Sequence, residues 1–233
     1  MEQKKKPSRR RRTLSDKEKR ARMAEIVSRL EGIYPDATCA LEYGGQAWRL
    51  LVMARLSAQC TDARVNIVSR ELFSRFPTVD ALADAPLSEI EAIVRPCGLF
   101  RTKAQSIRDA CRMLRDRFDY RVPDNMDDLL SMPGVGRKIA NLMLGDIYGA
   151  PAIVADTHCI RICGRFGMYD REMKDPTRVE KIMSALVEPQ SQSDFCHRIV
   201  QFGRDVCSAR APRCGECPLR DVCEMGREIG IGR

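Results

Sequence analysis

The chain has 233 residues, of which 44% are hydrophobic, and its formal net charge is +8. This length fits one large domain or two small ones, and no apolar run approaches the roughly 18 residues that a membrane helix needs, which excludes a membrane-spanning protein. Residues 1–22 hold 11 Lys and Arg but only 3 Asp and Glu, so they carry the entire excess and predict a disordered basic arm.

Helical periodicity dominates the chain after this arm. Ser15 and Glu18 form a capping-box pattern ahead of the first apolar helix, which Tyr34 and Pro35 end. Further helices are predicted over residues 46–56, from Thr61, from a second capping box at Ser88 and Glu91, and over residues 102–118, 157–166, 177–187 and 194–206. No alternating pattern of useful length indicates a strand. We therefore expect an all-α protein of about ten short helices.

A glycine-rich turn lies at the centre of the sequence, between a short helical segment and a longer one. Pro133, Gly134 and Gly136 suit a tight turn whose backbone approaches another group closely. The whole unit reads as a helix-hairpin-helix near residues 126–148. A helix that begins after small residues presents unpaired N–H groups, which bind anions. For a basic chain, phosphate is the expected anion.

Two cations follow the turn directly, where helices usually carry Asp or Glu. The helix dipole opposes a charged Lys138 and, together with Arg137, should lower the pKa of its amine toward a nucleophilic form. Both side chains could instead contact phosphates or face solvent. Asp156 comes 18 residues after Lys138 and directly before Thr157, where a carboxylate is a good helix N-cap.

Cysteines near the C-terminus suggest a metal centre. The chain has 11 cysteines and its N-terminus lacks the apolar stretch of a secretory signal, so closely spaced thiols are better read as metal ligands than as disulfides. Four of them follow the pattern C-x6-C-x2-C-x5-C, at Cys207, Cys214, Cys217 and Cys223. Four thiolates are the usual ligands of a [4Fe–4S] cluster. Zinc is the alternative, although zinc ribbons usually have two C-x2-C pairs.

The motif MPGVGRK around Lys138, the Asp156 of ADTH and the four-cysteine tail together resemble the endonuclease III family. These proteins are helix-hairpin-helix DNA glycosylases with an iron–sulfur cluster. The resemblance covers about residues 23–225 and implies two α-helical domains with a [4Fe–4S] cofactor. The implied parts are a six-helix barrel over residues 40–150 and a cluster domain from residues 23–39 plus 151–233, with its iron–sulfur loop at 207–223.

The resemblance also implies an activity and its chemistry. The family is similar in function to a bifunctional DNA glycosylase and AP lyase, which excises damaged, chiefly oxidised, pyrimidines in base excision repair. Lys138 corresponds to the nucleophile that attacks C1′ of a flipped nucleotide, forms a Schiff base and leads to strand cleavage by β-elimination. Asp156 corresponds to the carboxylate that stabilises positive charge at the sugar or takes a proton from the lysine.

Other residues match positions that contact DNA in the family. Gln59, in LSAQCTD, and Leu99, in CGLFRTK, resemble the residues that insert into the duplex as a polar plug and an apolar wedge. The remaining implied contacts are Gly134, Val135, Gly136, Arg137, His158, Arg210 and Arg213. The chain departs from common family motifs in having Ala155 where VDTH is frequent, Phe100 in place of a frequent tyrosine, and no basic residue near Ala211.

Two other functions fit part of this pattern. A monofunctional mismatch glycosylase shares the hairpin and the cluster, but the mismatch family that resembles this one lacks the lysine at position 138. A non-catalytic helix-hairpin-helix protein with a structural metal would bind DNA without cutting it. We expect a monomer that acts on double-stranded DNA with damaged bases or abasic sites. A bacterial source would place it in the cytoplasm at the nucleoid, and a nuclear or organellar location stays open.

Overall fold

The computed structural model describes residues 14–230, which contain helices, turns and loops but no strand. The all-α prediction is therefore confirmed for this part of the chain. The α-helices are α1 (Asp16–Ile33), α2 (Ala47–Leu56), α3 (Asp62–Arg75), α4 (Val79–Asp84), α5 (Leu87–Val94), α6 (Phe100–Phe118), α7 (Met126–Ser131), α8 (Arg137–Tyr148), α9 (Thr157–Phe166), α10 (Pro176–Leu186), α11 (Gln192–Asp205) and α12 (Glu224–Gly230). Short 3₁₀ turns lie at Arg95–Cys97 and Pro189–Ser191.

The N-terminal arm is shorter than the sequence suggested. Helix α1 begins at Asp16, so the disorder predicted for residues 1–22 is wrong for residues 16–22, and residues 1–13 lie outside the described part. The capping box at Ser15 explains this start: its hydroxyl accepts from the backbone N–H of Glu18, whose carboxylate accepts from the Ser15 N–H at 2.9 Å. Reciprocal bonds of this kind fix a helix start at the cap rather than at the first apolar residue.

Most other helix starts follow their predicted caps, with one exception. Thr61 accepts a hydrogen bond from the N–H of Arg64, which confirms the cap predicted for α3. The capping box predicted at Ser88 is wrong, because α5 begins one residue earlier and has no side-chain cap. The carbonyl of Pro86 accepts from Glu89 N–H at 3.0 Å and starts the helix instead. Proline supplies a fixed φ and so competes with a serine cap two residues later.

Buried apolar side chains form two clusters in the described residues. The first lies among α2 to α8 and runs from Leu41 to Met143 in sequence. The second joins α1, through Met23, Ile26 and Leu30, to α9, α10, α11 and the C-terminal cysteine loop. Because α1 packs with helices that follow it by more than 120 residues, the second cluster is discontinuous in sequence. This packing supports the predicted division near residue 150. None of the helices within residues 14–230 is both long and apolar enough to cross a bilayer.

Candidate active site

The hairpin turn is held by a close approach that only glycine permits. Gly134 has φ +78°, and a Cβ at this position would lie 2.6 Å from Nε of Arg55 on α2 and 2.8 Å from Cβ of Ser106 on α6. Val135 turns its side chain into the first hydrophobic cluster. Gly136 is the N-cap of α8 and leaves the first N–H groups of that helix without a side-chain partner. The turn therefore packs inward on one side and presents backbone donors on the other.

Lys138 and Asp156 line the same cavity. The cavity has a volume of about 770 Å³, and its wall is built from the segment after α1, from α2, from the hairpin and from α11. Lys138 is exposed on the first turn of α8, whereas Asp156 is half-buried. A cavity of this size is in the range of small-molecule sites and can admit one nucleoside. The structure thus brings together two residues that are 18 positions apart.

Asp156 is the N-cap of α9, as the sequence predicted. One carboxylate oxygen accepts from the N–H of Cys159 at 2.7 Å, which fixes the side chain against the helix start. The helix dipole at this end favours negative charge. The second carboxylate oxygen remains available to the cavity that Asp156 lines. Asp156 can therefore present a fixed negative charge to a ligand.

Arg137 is not the free cation assumed in the sequence argument. Its Nε donates to Glu180 at 3.0 Å and its Nη2 donates to the other oxygen of the same carboxylate at 2.5 Å. This hydrogen bonding raises the pKa of Arg137. Because the carboxylate cancels much of the guanidinium field, Arg137 contributes less than expected to the electrostatics of Lys138. In this structure Arg137 joins α8 to α10 instead of extending toward a phosphate.

Gln59 and Leu99 occupy two loops with unusual backbone geometry. Both are exposed and have positive φ, at 55° for Gln59 and 48° for Leu99. Leu99 exposes 56% of its surface despite being apolar. Left-handed backbone costs a residue with a Cβ about 1–2 kcal/mol. Strain and exposed apolar surface at a loop tip are common where a protein contacts its ligand.

The four C-terminal cysteines lie in one loop that is anchored from two sides. Cys207 and Cys223 are buried, and Cys214 and Cys217 are half-buried. Arg165 of α9 donates to Sγ of Cys207 at 3.2 Å and to the carbonyl of Ser208 at 2.7 Å. The N–H of Gly226 donates to Sγ of Cys223 at 3.4 Å. Hydrogen bonds to sulfur stabilise thiolates, the form in which cysteine binds iron.

Comparison with known proteins identifies the family. The model of the HhH-GPD superfamily of base excision DNA repair proteins matches residues 52–189, and the model of the iron–sulfur binding domain of endonuclease III matches residues 207–223. Endonuclease III of Synechocystis is 43% identical over 88% of this chain and 93% of that protein. Endonuclease III of Escherichia coli K12 is 33% identical over 91% of this chain and 99% of its own length. The chain belongs to the endonuclease III family.

Solved structures of the endonuclease III family share the whole fold. A non-covalent endonuclease III–DNA complex superposes with a TM-score of 0.85 at 35% identity and covers 94% of this chain and 100% of that one. A trapped endonuclease III–DNA covalent intermediate superposes at 0.84 with 36% identity and the same coverage. A thermostable thymine-DNA glycosylase matches at 0.80 but only 20% identity, so it shares the fold alone.

The cysteine loop fits the [4Fe–4S] cluster of the endonuclease III family better than zinc. Within residues 14–230, no three His, Cys, Asp or Glu side chains are placed to hold a single metal ion. Thiolates around one zinc lie about 4 Å apart, since each is about 2.3 Å from the ion, whereas a cluster spreads its ligands over several iron atoms. The family match to this loop confirms the prediction of a [4Fe–4S] cofactor over the zinc alternative.

Three other implied DNA contacts lie away from the cavity wall. Arg210 is exposed in the cysteine loop, and Arg213 donates to the backbone carbonyl of Asp205. His158 is half-buried beside Arg161, with 3.3 Å between its Nδ1 and the guanidinium. Burial lowers the pKa of His158. Its position on the second residue of α9 suits a packing role at least as well as a direct contact.

Sequence reasoning missed several residues that shape the cavity. Arg55, Arg204 and His197 all line it, and Arg204 forms an ion pair with Asp62 at the start of α3. Asp62 follows the predicted cap at Thr61, so its place at a helix start was readable. Nothing in the sequence indicated Arg204, because its partner is 142 positions away.

Proposed function

We propose that this protein is a bifunctional DNA glycosylase and AP lyase, which removes damaged, chiefly oxidised, pyrimidines and cuts the strand by β-elimination. One observation carries the proposal: Lys138 and Asp156 line a single cavity beside a hairpin whose helix start is open to phosphate. Membership of the endonuclease III family supports the same activity. The related structure titled as a trapped covalent endonuclease III–DNA intermediate supports a nucleophile on the protein.

In the first step, Nζ of Lys138 attacks C1′ of the extruded nucleotide as a neutral amine. The bond between C1′ and the base breaks, and the electron pair leaves with the base. Asp156 faces the sugar across the cavity, where its fixed carboxylate lowers the energy of the cationic transition state. It can also accept the proton that the lysine loses as the new C–N bond forms.

The second step cuts the strand. Opening of the sugar ring converts the adduct into a Schiff base between Lys138 and C1′. The imine acidifies the hydrogen at C2′, and removal of this proton expels the 3′ phosphate by β-elimination. Hydrolysis then releases Lys138 as a free amine. The mechanism requires one amine and one carboxylate, which are the two side chains that the cavity brings together.

The hairpin and two loops provide the proposed DNA contacts. Backbone N–H groups at Gly134, Val135 and Gly136 and at the start of α8 would bind a phosphate, with Arg137 nearby. Gln59 and Leu99 would fill the gap left by the extruded nucleotide. Further contacts are proposed for His158, Arg210 and Arg213.

The proposed ligands of the [4Fe–4S] cluster are Cys207, Cys214, Cys217 and Cys223. When bound, the cluster ties together 17 residues that contain little regular structure and so shapes the loop that carries Arg210 and Arg213. We further propose a barrel domain near residues 40–150 and a cluster domain from the remaining helices, as the two hydrophobic clusters suggest. The protein would act as a monomer on damaged double-stranded DNA, in the cytoplasm if its source is bacterial.

The proposal is tested by trapping the Schiff base. The substrate is an end-labelled duplex with one thymine glycol, an oxidised pyrimidine, and borohydride is added during turnover. Wild-type protein should give a covalent protein–DNA band, and Lys138→Gln should give none while it retains DNA binding. Lys181→Gln is the matched control, because Lys181 is exposed on α10 and outside the cavity. Efficient trapping by Lys138→Gln would identify another amine as the nucleophile, and binding without cleavage by the wild type would favour the non-catalytic alternative.

A further inference from the structure

Lys103 on α6 is a fully buried lysine that the proposed mechanism does not use. Its exposed fraction is 0%. The described groups that act on its charge are the thiols of Cys97 and Cys60 and the guanidinium of Arg55, and none of them is a carboxylate. Burial lowers the pKa of Lys103. A buried ammonium without an acidic partner is costly, so its hydrogen bonds must stabilise something that an apolar residue could not.

The ammonium of Lys103 joins two backbone carbonyls. Nζ donates to the carbonyl oxygen of Leu56 and to that of Cys97, each at 2.8 Å. Leu56 is the last residue of α2, and Cys97 is the last residue of the 3₁₀ turn Arg95–Cys97. Carbonyls at helix ends lack an intrahelical partner and carry partial negative charge, which a cation satisfies well. Lys103 therefore closes two helical ends at one point.

Both loops that are proposed to enter DNA leave from this point. Gln59 follows Leu56 by three residues, and Leu99 follows Cys97 by two. Their positive φ angles, 55° and 48°, are held by the surrounding structure because an isolated chain would relax out of them. The separation of the two loops thus depends on two oxygens that are bound to the same nitrogen.

Helix α6 also connects this point to the hairpin. Ser106 lies one turn after Lys103, donates to the carbonyl of Lys103 at 3.0 Å and accepts from Nε of Arg55 at 2.8 Å. Gly134 of the hairpin packs directly on Arg55 and Ser106. One helix thereby sets the relative positions of the hairpin and of the two loops.

We propose that Lys103 is a positioning residue, which holds Gln59 and Leu99 at the spacing needed to fill the gap left by an extruded nucleotide. This inference rests on the proposed function. Gap filling is needed only in a duplex, because a single strand has no opposite base and no stack to restore. An abasic site in single-stranded DNA should therefore require Lys138 and Asp156 but not the two loops.

The test compares single-turnover cleavage of the same abasic oligonucleotide in duplex and in single-stranded form. Lys103→Met keeps the length of the side chain and removes its donors. It should slow duplex cleavage by about 10-fold or more, the scale expected from a misplaced contact, and leave single-strand cleavage unchanged. Lys103→Arg keeps the charge and at least two donors and should regain most of the loss. Equal losses on both substrates would overturn the inference.

A double-mutant cycle separates positioning from general support of the fold. In a background of Gln59→Ala and Leu99→Ala, adding Lys103→Met should cause little further loss on the duplex, because the residues that it positions are already absent. Fully additive losses would show that Lys103 does not act through the two loops. If Lys103→Met does not fold, Lys103→Gln, whose amide keeps shorter donors, takes its place in both comparisons. A wild-type protein that cleaves neither substrate would contradict the proposed function itself.

Discussion

Arg137 and Glu180 form a two-point ion pair between the first turn of α8 and α10, with N–O distances of 3.0 and 2.5 Å. The pair crosses from the first hydrophobic cluster to the second, directly beside Lys138. A bidentate arrangement fixes orientation as well as distance. Arg137 is 45% exposed and Glu180 is 15% exposed, so solvent screening limits the contribution of the pair to stability to about 1 kcal/mol or less.

Breaking this pair should therefore change DNA binding more than stability. Glu180→Gln frees Arg137 for a phosphate, so the affinity for undamaged duplex should rise. The slope of log K against log salt should steepen by about 0.9, which corresponds to one added contact. Fluorescence anisotropy between 50 and 300 mM salt, roughly the range over which such slopes are measured, provides the test. The double variant Glu180→Gln/Arg137→Gln should lose the gain, and an unchanged slope in Glu180→Gln would show that Arg137 does not reach DNA.

Asp156 has two roles that two substitutions can separate. Asp156→Asn keeps an oxygen that can accept from Cys159 N–H, so thermal stability should change little, while base release should slow by about 10²-fold because the charge is lost. Asp156→Ala should slow the reaction comparably and also lower stability by about 1 kcal/mol, since it removes the N-cap. Stability comes from thermal unfolding and base release from single-turnover kinetics. Full activity of Asp156→Asn would remove the carboxylate from the mechanism.

Gly134 should tolerate alanine less well than another glycine with similar backbone geometry. Gly134→Ala introduces both strain at φ +78° and contacts of 2.6 to 2.9 Å with Arg55 and Ser106. We expect a loss of about 2–3 kcal/mol and weaker DNA binding, as the hairpin shifts off α6. Gly149→Ala is the control, because Gly149 has φ +63° with open space around it, and it should cost only about 1 kcal/mol. Equal losses would mean that the close approach adds nothing.

The cysteine loop should lose its cofactor when one ligand is removed. Wild-type protein should be brown and contain about four iron and four sulfide per chain. Cys214→Ser should lose the colour and much of the soluble yield, because cofactor binding and folding of this loop are coupled. Cys60→Ser lies outside the loop and should keep both. Visible absorption and metal analysis provide the measurement, and stoichiometric zinc in a colourless wild-type protein would contradict the cluster.

Local features of the sequence were sufficient wherever the interacting residues are neighbours in the chain. Helix α9 begins at Thr157, as predicted, because Asp156 and Cys159 bond across three positions. The capping box at Ser15 and the cap at Thr61 are correct for the same reason. The four cysteines needed only their spacing, since 17 residues can reach one centre whatever the rest of the fold. The error at Ser88 is also local, because Pro86 offers a competing start.

Tertiary structure alone decided the features that depend on distant partners. The depth of Lys103 and its two carbonyl partners could not be read from a lysine in an amphipathic helix, since Leu56 is 47 positions away. The pairing of Arg137 with Glu180, 43 positions away, reversed its expected role as a free cation. Burial and long-range pairing arise when the two hydrophobic clusters pack together, and they set the energy of a charge far more strongly than its neighbours in sequence do.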